Sequence, residues 1–242
     1  MKRRHFIIGD VHGMFDALTT LVESFELNPY DVLIFVGDLV DKGPHSALVV
    51  RYVRELSNFY NVIVVEGNHE EKHRRFRKSG NTNMVGADEM ATITDELSAK
   101  DIAFMETFVP FHYVPEHDVL VVHAGIPANM QEFPETVEQA LSLKGAKRKQ
   151  FQAIMRTRYV DADTGSMVVW GEEKEADPFW ADVYDGRFGH VVFGHEPLEE
   201  VTRFPHATGV DTGAVYGRAL SALVYTEGAS EPFVMSVEVG DA

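Results

Sequence analysis

His5-Phe6-Ile7-Ile8-Gly9-Asp10-Val11-His12-Gly13 decides the fold, because a short apolar run leads straight into a glycine and two side chains able to bind metal. Such a run, bounded by glycine, reads as a short buried strand ending in a tight turn. The same grammar returns downstream. Val32-Leu33-Ile34-Phe35-Val36 ends at Gly37-Asp38, and Val62 to Val65 ends at Gly67-Asn68-His69. Val119-Leu120-Val121-Val122 ends at His123, and Val191-Val192-Phe193 ends at Gly194-His195. Helical signals separate the first three runs. Met14, Leu18, Leu21, Val22 and Phe25 recur at helical spacing, and Pro44 opens a helix through Leu48, Tyr52 and Leu56. Strand, helix, strand, helix, strand predicts a parallel α/β core with right-handed crossovers.

The rest of the chain hangs on that core. Residues 70–118 are more polar and helical, and the charged run Glu70 to Lys78 reads as a solvated helix face. Residues 128–188 read as an insertion, helical at first and then loop-rich around Asp161 to Gly165. Ala219 to Tyr225 and Phe233 to Val239 suggest a terminal β-meander. A length of 242 residues fits one α/β domain, residues 1–242, carrying this insertion.

Composition removes several classes. The chain has no cysteine, which excludes disulfides and thiolate metal sites and fits a reducing, cytoplasmic compartment. The formal net charge of −16 argues against nucleic-acid binding, where a basic footprint is expected. The basic start Met1-Lys2-Arg3-Arg4 is followed by only Phe6-Ile7-Ile8, too short for a signal sequence. No apolar stretch is long enough to span a membrane.

Five strand ends thus carry Asp10 with His12, Asp38, Asn68 with His69, His123 and His195. Ligands of open α/β sheets bind outside the carboxyl ends of the strands, so the sheet brings these side chains around one point. Asp10 and His12, two apart, face the same way if the chain is extended there. Two carboxylates, three imidazoles and an amide, without thiolate, suit manganese, iron or zinc. They suffice for two ions if one carboxylate bridges, and such pairs, about 3.5–4 Å apart, activate a bridging water.

Gly9-Asp10-Val11-His12-Gly13, Gly37-Asp38-Leu39-Val40-Asp41-Lys42-Gly43-Pro44 and Gly67-Asn68-His69-Glu70 resemble the three signature motifs of the phosphoprotein-phosphatase superfamily of calcineurin-like metallophosphoesterases. Val121-Val122-His123-Ala124-Gly125-Ile126, Phe193-Gly194-His195 and the segment Asp211 to Gly217 extend the likeness, with most similarity to the symmetrical bis(5'-nucleosyl)-tetraphosphatase-like branch. The resemblance implies an α/β fold of four layers, two packed mixed β-sheets flanked by helices. It implies that Asp10, His12 and Asp38 hold a first metal, and that Asp38, Asn68, His123 and His195 hold a second. It implies a metal-bound hydroxide attacking phosphorus in line, with His69, oriented by Asp41, protonating the leaving oxygen.

Lys42 replaces the arginine common at this place in the second motif, and lysine meets phosphate as a point charge rather than a bidentate fork. Met155-Arg156-Thr157-Arg158-Tyr159 is similar to the segment supplying a phosphate-binding arginine; either Arg156 or Arg158 fits, and Arg158 is favoured. The likeness also brings Tyr216 toward the site. Trp170, Phe179, Trp180 and Tyr184 either wall the pocket and stack on a base or form a local core, and the core reading is favoured. The expected substrates are a dinucleoside polyphosphate first, then a phosphoserine or phosphothreonine protein, then inorganic polyphosphate. A non-catalytic phosphate-binding scaffold is the alternative of another class, and it sits poorly with a complete ligand set.

Overall fold

The computed structural model describes residues 1–240. The chain runs β1 (Arg4–Ile8), α1 (Phe15–Ser24), β2 (Val32–Phe35), α2 (Ser46–Leu56), β3 (Asn61–Val64), α3 (Asn68–Ser79), α4 (Ala87–Glu96) and α5 (Ala99–Met105). It continues through β4 (His112–Val114), β5 (Val119–Val121), α6 (Val137–Ser142), α7 (Gly145–Gln152), α8 (Trp180–Val183) and β6 (His190–Phe193). β7 (Thr202–Arg203), β8 (Ala207–Gly209), β9 (Ala219–Thr226) and β10 (Phe233–Glu238) complete it.

Two five-stranded mixed sheets form, in the orders β10-β9-β1-β2-β3 and β4-β5-β6-β8-β7. In the first, β1, β2 and β3 are parallel, and β9 and β10 add the antiparallel meander. In the second, β5, β6 and β8 are parallel, with β4 and β7 antiparallel at the edges. The two-residue period of a strand sorts the side chains into layers. Phe6, Ile8, Leu33 and Phe35 point to a core shared with α1 and α2. Ile7, Ile34 and Val36 point the other way and meet Val121, Val192 and Val210 of the second sheet. Leu120, Val122, Val191 and Phe193 then face Phe151, Trp180 and Tyr184 of the segment 128–188. The expected four layers are present, with the segment 128–188 covering the second sheet.

Two local expectations need correction. Pro44 precedes rather than opens α2, which starts at Ser46. Its buried stripe is Ala47, Val49, Val50 and Val53, whereas Leu48 is 40% exposed. Nor is Glu70 to Lys78 a solvated face throughout, because α3 lies along the site and buries Glu70, Glu71 and His73. Among the described residues, no helix is long and apolar enough to cross a membrane.

Candidate metal centre

The carboxyl ends of β1, β2 and β3 and those of β5 and β6 converge on one point, and backbone bonds lock the turns together. Val11 and His12 donate their N–H groups to Asp38 O, and Gly13 N–H donates to Leu39 O. Across the two sheets, the His195 N–H donates to the Asp10 carboxylate at 3.1 and 3.2 Å. The His69 N–H donates to Asp38 Oδ1 at 3.0 Å. His12 is not extended, as the two-residue spacing from Asp10 suggested, but turns back with φ 44°. Asp38, Asp41, Lys42 and His195 also have positive φ, at 50°, 70°, 66° and 69°. Non-glycine residues in this region carry strain that the surroundings must enforce, and such strain concentrates at functional sites.

The result is two clusters sharing one carboxylate: His12, Asp38 and His69 form one, and Asp38, His123 and His195 the other, each with its ligand atoms within 4.8 Å of one another. Asp38 Oδ2 lies 3.6 Å from His12 Nε2 and 3.3 Å from His123 Nε2. Asp10 Oδ2 is 4.0 Å from His12 Nε2, and Asn68 Oδ1 is 3.0 Å from His123 Nε2. The structure therefore brings together all six side chains expected as ligands.

The donor set fits divalent cations. His12 Nδ1 lies 2.9 Å from Val40 O and His123 Nδ1 2.9 Å from Val36 O. Donation of those N–H groups to carbonyls leaves the Nε2 lone pairs pointing into the cluster, the arrangement that prepares an imidazole to bind metal. Burial lowers the His12 pKa to about 4, with Lys42 and His69 adding to it against Asp38. Burial, His123 and Arg158 hold His195 well below its ordinary value. Both imidazoles are thus neutral at pH 7, the form able to bind a cation. Burial, together with Asp211 and Asp38, pushes the Asp10 carboxyl well up. A cation relieves this crowding of carboxylates. The Lys42 ammonium already lies 2.9 Å from His12 Nε2, so a positive group is drawn to that lone pair.

Other expected residues frame the cluster. His69 Nδ1 lies 2.6 Å from Asp41 Oδ2, and His69 Nε2 lies 3.9 Å from Asp38 Oδ2. Burial works to lower the His69 pKa, but the Asp38 and Asp41 carboxylates outweigh it and raise it. Tyr216 Oη is 3.4 Å from Lys42 Nζ. Arg158 Nη2 donates to His195 O at 3.0 Å and its Nε pairs with Glu196 at 2.6 Å, placing this arginine at the rim. Arg156 instead pairs with Glu71 of α3 at 2.8 Å. Phe179, Trp180 and Tyr184 belong to the second core, as expected, but Trp170 is 70% exposed.

Three site residues escaped the sequence reading. Glu70 accepts backbone N–H groups from Asp38, Leu39, Val40 and Gly67, which fixes the turn after β2. Burial and the Asp38 charge push its pKa up to about 7 against those donors. His73, fully buried, grips Asp41 Oδ1. Asp211 follows β8 into the cluster, where burial and Asp38 push its pKa up to about 6. The segment Asp211 to Gly217 carries part of the family likeness, but nothing local distinguishes its aspartate from a turn residue.

Comparison with known proteins agrees with this geometry. Residues 4–199 match the family model described as calcineurin-like phosphoesterase. The chain is 31% identical over 241 residues to the bis(5'-nucleosyl)-tetraphosphatase PrpE [asymmetrical] of Halalkalibacterium halodurans, covering 91% of this chain and 89% of the relative. It is 29% identical to the protein of the same name from Bacillus subtilis strain 168, covering 91% and 90%. The crystal structure of a candidate diadenosine tetraphosphatase superposes with a TM-score of 0.74 at 26% identity, covering 99% of this chain and 95% of that one. A serine/threonine protein phosphatase of Saccharomyces cerevisiae shares the fold, with a TM-score of 0.61 at 16% identity and cover of 99% and 81%. The tetraphosphatase likeness read from the sequence is thus present, but both named relatives carry the word asymmetrical where the motifs suggested the symmetrical branch.

Proposed function

The chain belongs to the calcineurin-like phosphoesterase family, and on that premise we propose that it hydrolyses dinucleoside polyphosphates at a two-metal centre. That it is a phosphoester or phosphoanhydride hydrolase using divalent metal follows from the family. The observation that carries the finer reading is the sharing of Asp38 by two ligand clusters. In this reading Asp10, His12 and Asp38 hold one cation, and Asp38, Asn68, His123 and His195 hold the other. Manganese is the first choice for a nitrogen and oxygen set, with iron or zinc acceptable. Such a pair supplies Lewis acidity toward phosphoryl oxygens and a water of lowered pKa.

The protein's own groups do the rest. Lys42 and Arg158 bring positive charge to an acidic chain and steady the phosphate oxygens, with Asn68 and Tyr216 alongside and Arg156, paired with Glu71, as the second arginine. His69 carries a proton at Nε2 to the departing oxygen, while its Nδ1–H stays on Asp41. Because both sheets contribute to the centre, the chain acts as one domain with an insertion. The cysteine-free composition suits a reducing, cytoplasmic setting.

The test is hydrolysis of diadenosine tetraphosphate by metal-stripped protein resupplied with manganese, beside a phosphothreonine peptide. Rapid turnover of the dinucleotide and slow turnover of the peptide is the expected result. ATP with AMP would mark asymmetrical cleavage, as in the relatives' names, and ADP alone would mark symmetrical cleavage. Rapid turnover of the peptide alone would overturn the reading in favour of a protein phosphatase.

A further inference from the structure

We propose that Trp170 is the platform on which a nucleobase of the substrate stacks, with Arg158 linking that platform to the metal centre. The inference rests on the dinucleotide reading above and names the part of the substrate that reading leaves unplaced.

The position of Trp170 follows from the pairing of the insertion. Tyr159 bridges Phe179, and Val160 bridges Met167 in antiparallel fashion. The Val168 N–H donates to Tyr159 O at 3.0 Å, and the Trp180 N–H donates to Arg158 O at 2.9 Å. This register carries the chain after Val168 back past Arg158, and the Arg158 guanidinium lies over the Trp170 ring, 4.5 Å from its centroid. Arg158 is itself fixed by His195 O and Glu196, so the indole is tied through one side chain to a residue of the cluster.

The burial of Trp170 is the telling feature. Trp180, also in the insertion, is 1% exposed and packs in the second core, whereas Trp170 is 70% exposed. An indole left 70% exposed beside a phosphate-binding arginine, with that guanidinium over its ring, is built for a flat π-ligand rather than for stability. A nucleoside polyphosphate matches both features: its phosphates meet Arg158 and the cluster, and its base meets the indole. At the His12 end of the cluster, Tyr216 is likewise paired with a cation, Lys42, 5.5 Å from its ring centroid, but its hydroxyl faces that ammonium and gives it a polar role.

The experiment compares diadenosine tetraphosphate with inorganic tripolyphosphate, which has the anhydride but no base, in the manganese-loaded wild type, Trp170→Ala and Trp170→Phe. Loss of an aromatic stacking partner shifts binding by roughly 5- to 150-fold. The expected result is a fall of about tenfold in the ratio of kcat/KM for the dinucleotide to kcat/KM for tripolyphosphate in Trp170→Ala, largely recovered in Trp170→Phe. An unchanged ratio overturns the proposal, as does a loss in Trp170→Ala shared equally by both substrates. If the wild type cleaves no dinucleotide, the substrate reading has failed and binding decides the inference instead. Stacking requires that ADP quench the fluorescence of the wild type, that pyrophosphate not reproduce the quench, and that it vanish in Trp170→Ala. Equal quenching by pyrophosphate, persistence of the quench in the variant, or no quench at all rules the platform out.

Discussion

His73 Nε2 lies 2.5 Å from Asp41 Oδ1 while His69 Nδ1 lies 2.6 Å from Asp41 Oδ2, so one carboxylate is gripped at both oxygens by imidazoles on successive turns of α3. Residues four apart on a helix lie on one face, which is why a single carboxylate from the turn after β2 reaches both. Asp41 is buried, and although burial works to raise its pKa, the two imidazoles hold it well below the usual range. It therefore stays an anion, and a doubly held anion keeps the His69 ring at a fixed angle to the cluster.

Replacing His73 tests that grip without touching a ligand. His73→Phe leaves Asp41 Oδ1 buried and unpaired, which costs about 1–3 kcal/mol of stability. Turnover falls as well, and more for substrates with poor leaving groups than for an aryl phosphate, because the defect is in proton delivery by His69. His69→Asn shows the same dependence, more steeply. Equal losses on aryl and alkyl phosphates in the His73 variant would show that His73 supports only the fold.

The shared carboxylate makes a different prediction. Asp38→Asn removes the charge that both clusters use. Loss of an outer partner of a metal ligand commonly costs about 10–100-fold in affinity or activity. Loss of the shared ligand costs more than that, and bound manganese per chain, measured by elemental analysis after gel filtration, falls with it. Retention of most activity with fresh manganese supplied contradicts the two-metal reading.

A third prediction concerns a residue with no side chain. A Cβ added at Gly194 would stand 2.1 Å from Asp10 Oδ1 and 2.6 Å from Val36 Cγ2. Asp10 is 3% exposed and fixed by the His195 N–H, so it has little room to retreat. Gly194→Ala is expected to lose about 1–3 kcal/mol of stability through overpacking and to weaken manganese binding. Gly240→Ala, where a Cβ meets nothing within 4 Å, is the control and leaves Tm within about a degree. Calorimetric unfolding and metal titration read both effects.

What could be read in the sequence was local. A strand followed by glycine and a ligand is spelled by consecutive residues, so Asp10, Asp38, Asn68, His69, His123 and His195 were identifiable, and sheet topology then had only to bring the ends together. What could not be read depends on distant chain. Glu70 looks like one more charge in a polar run, because three of the four N–H groups it accepts belong to residues 38–40. His73 needs Asp41, 32 residues earlier, to explain its burial. β7 and β8 have two and three residues, too few for a strand period to declare itself, and so Asp211 had no strand end to mark it. The α2 stripe departs from the expected one because Leu48 and Val49 are equally apolar, and only the neighbours decide which is buried.

The last prediction is a pH dependence set away from the centre. Asp101 caps α5 by accepting from the Ser98 N–H at 2.9 Å and the Ser98 hydroxyl at 2.7 Å, and it pairs with Arg54 of α2 at 2.7 Å. Burial works to raise its pKa, but Ser98 and Arg54 outweigh it and hold the carboxyl below its ordinary 3.8. A carboxyl with a folded pKa below its unfolded one favours folding fully above the unfolded pKa, and that contribution disappears as pH falls through the folded pKa. Asp101→Asn keeps the size but loses the charge, so it is expected to lower Tm at pH 7 and pH 5 by similar amounts. Below about pH 4 the unfolded chain takes up this proton while the folded carboxyl still resists it, so the gap between the two proteins narrows as pH falls on toward the lowered folded pKa. Thermal unfolding of both across pH 3 to 7 reads the gap directly; a constant gap throughout would mean that shape, not charge, at Asp101 joins α5 to α2.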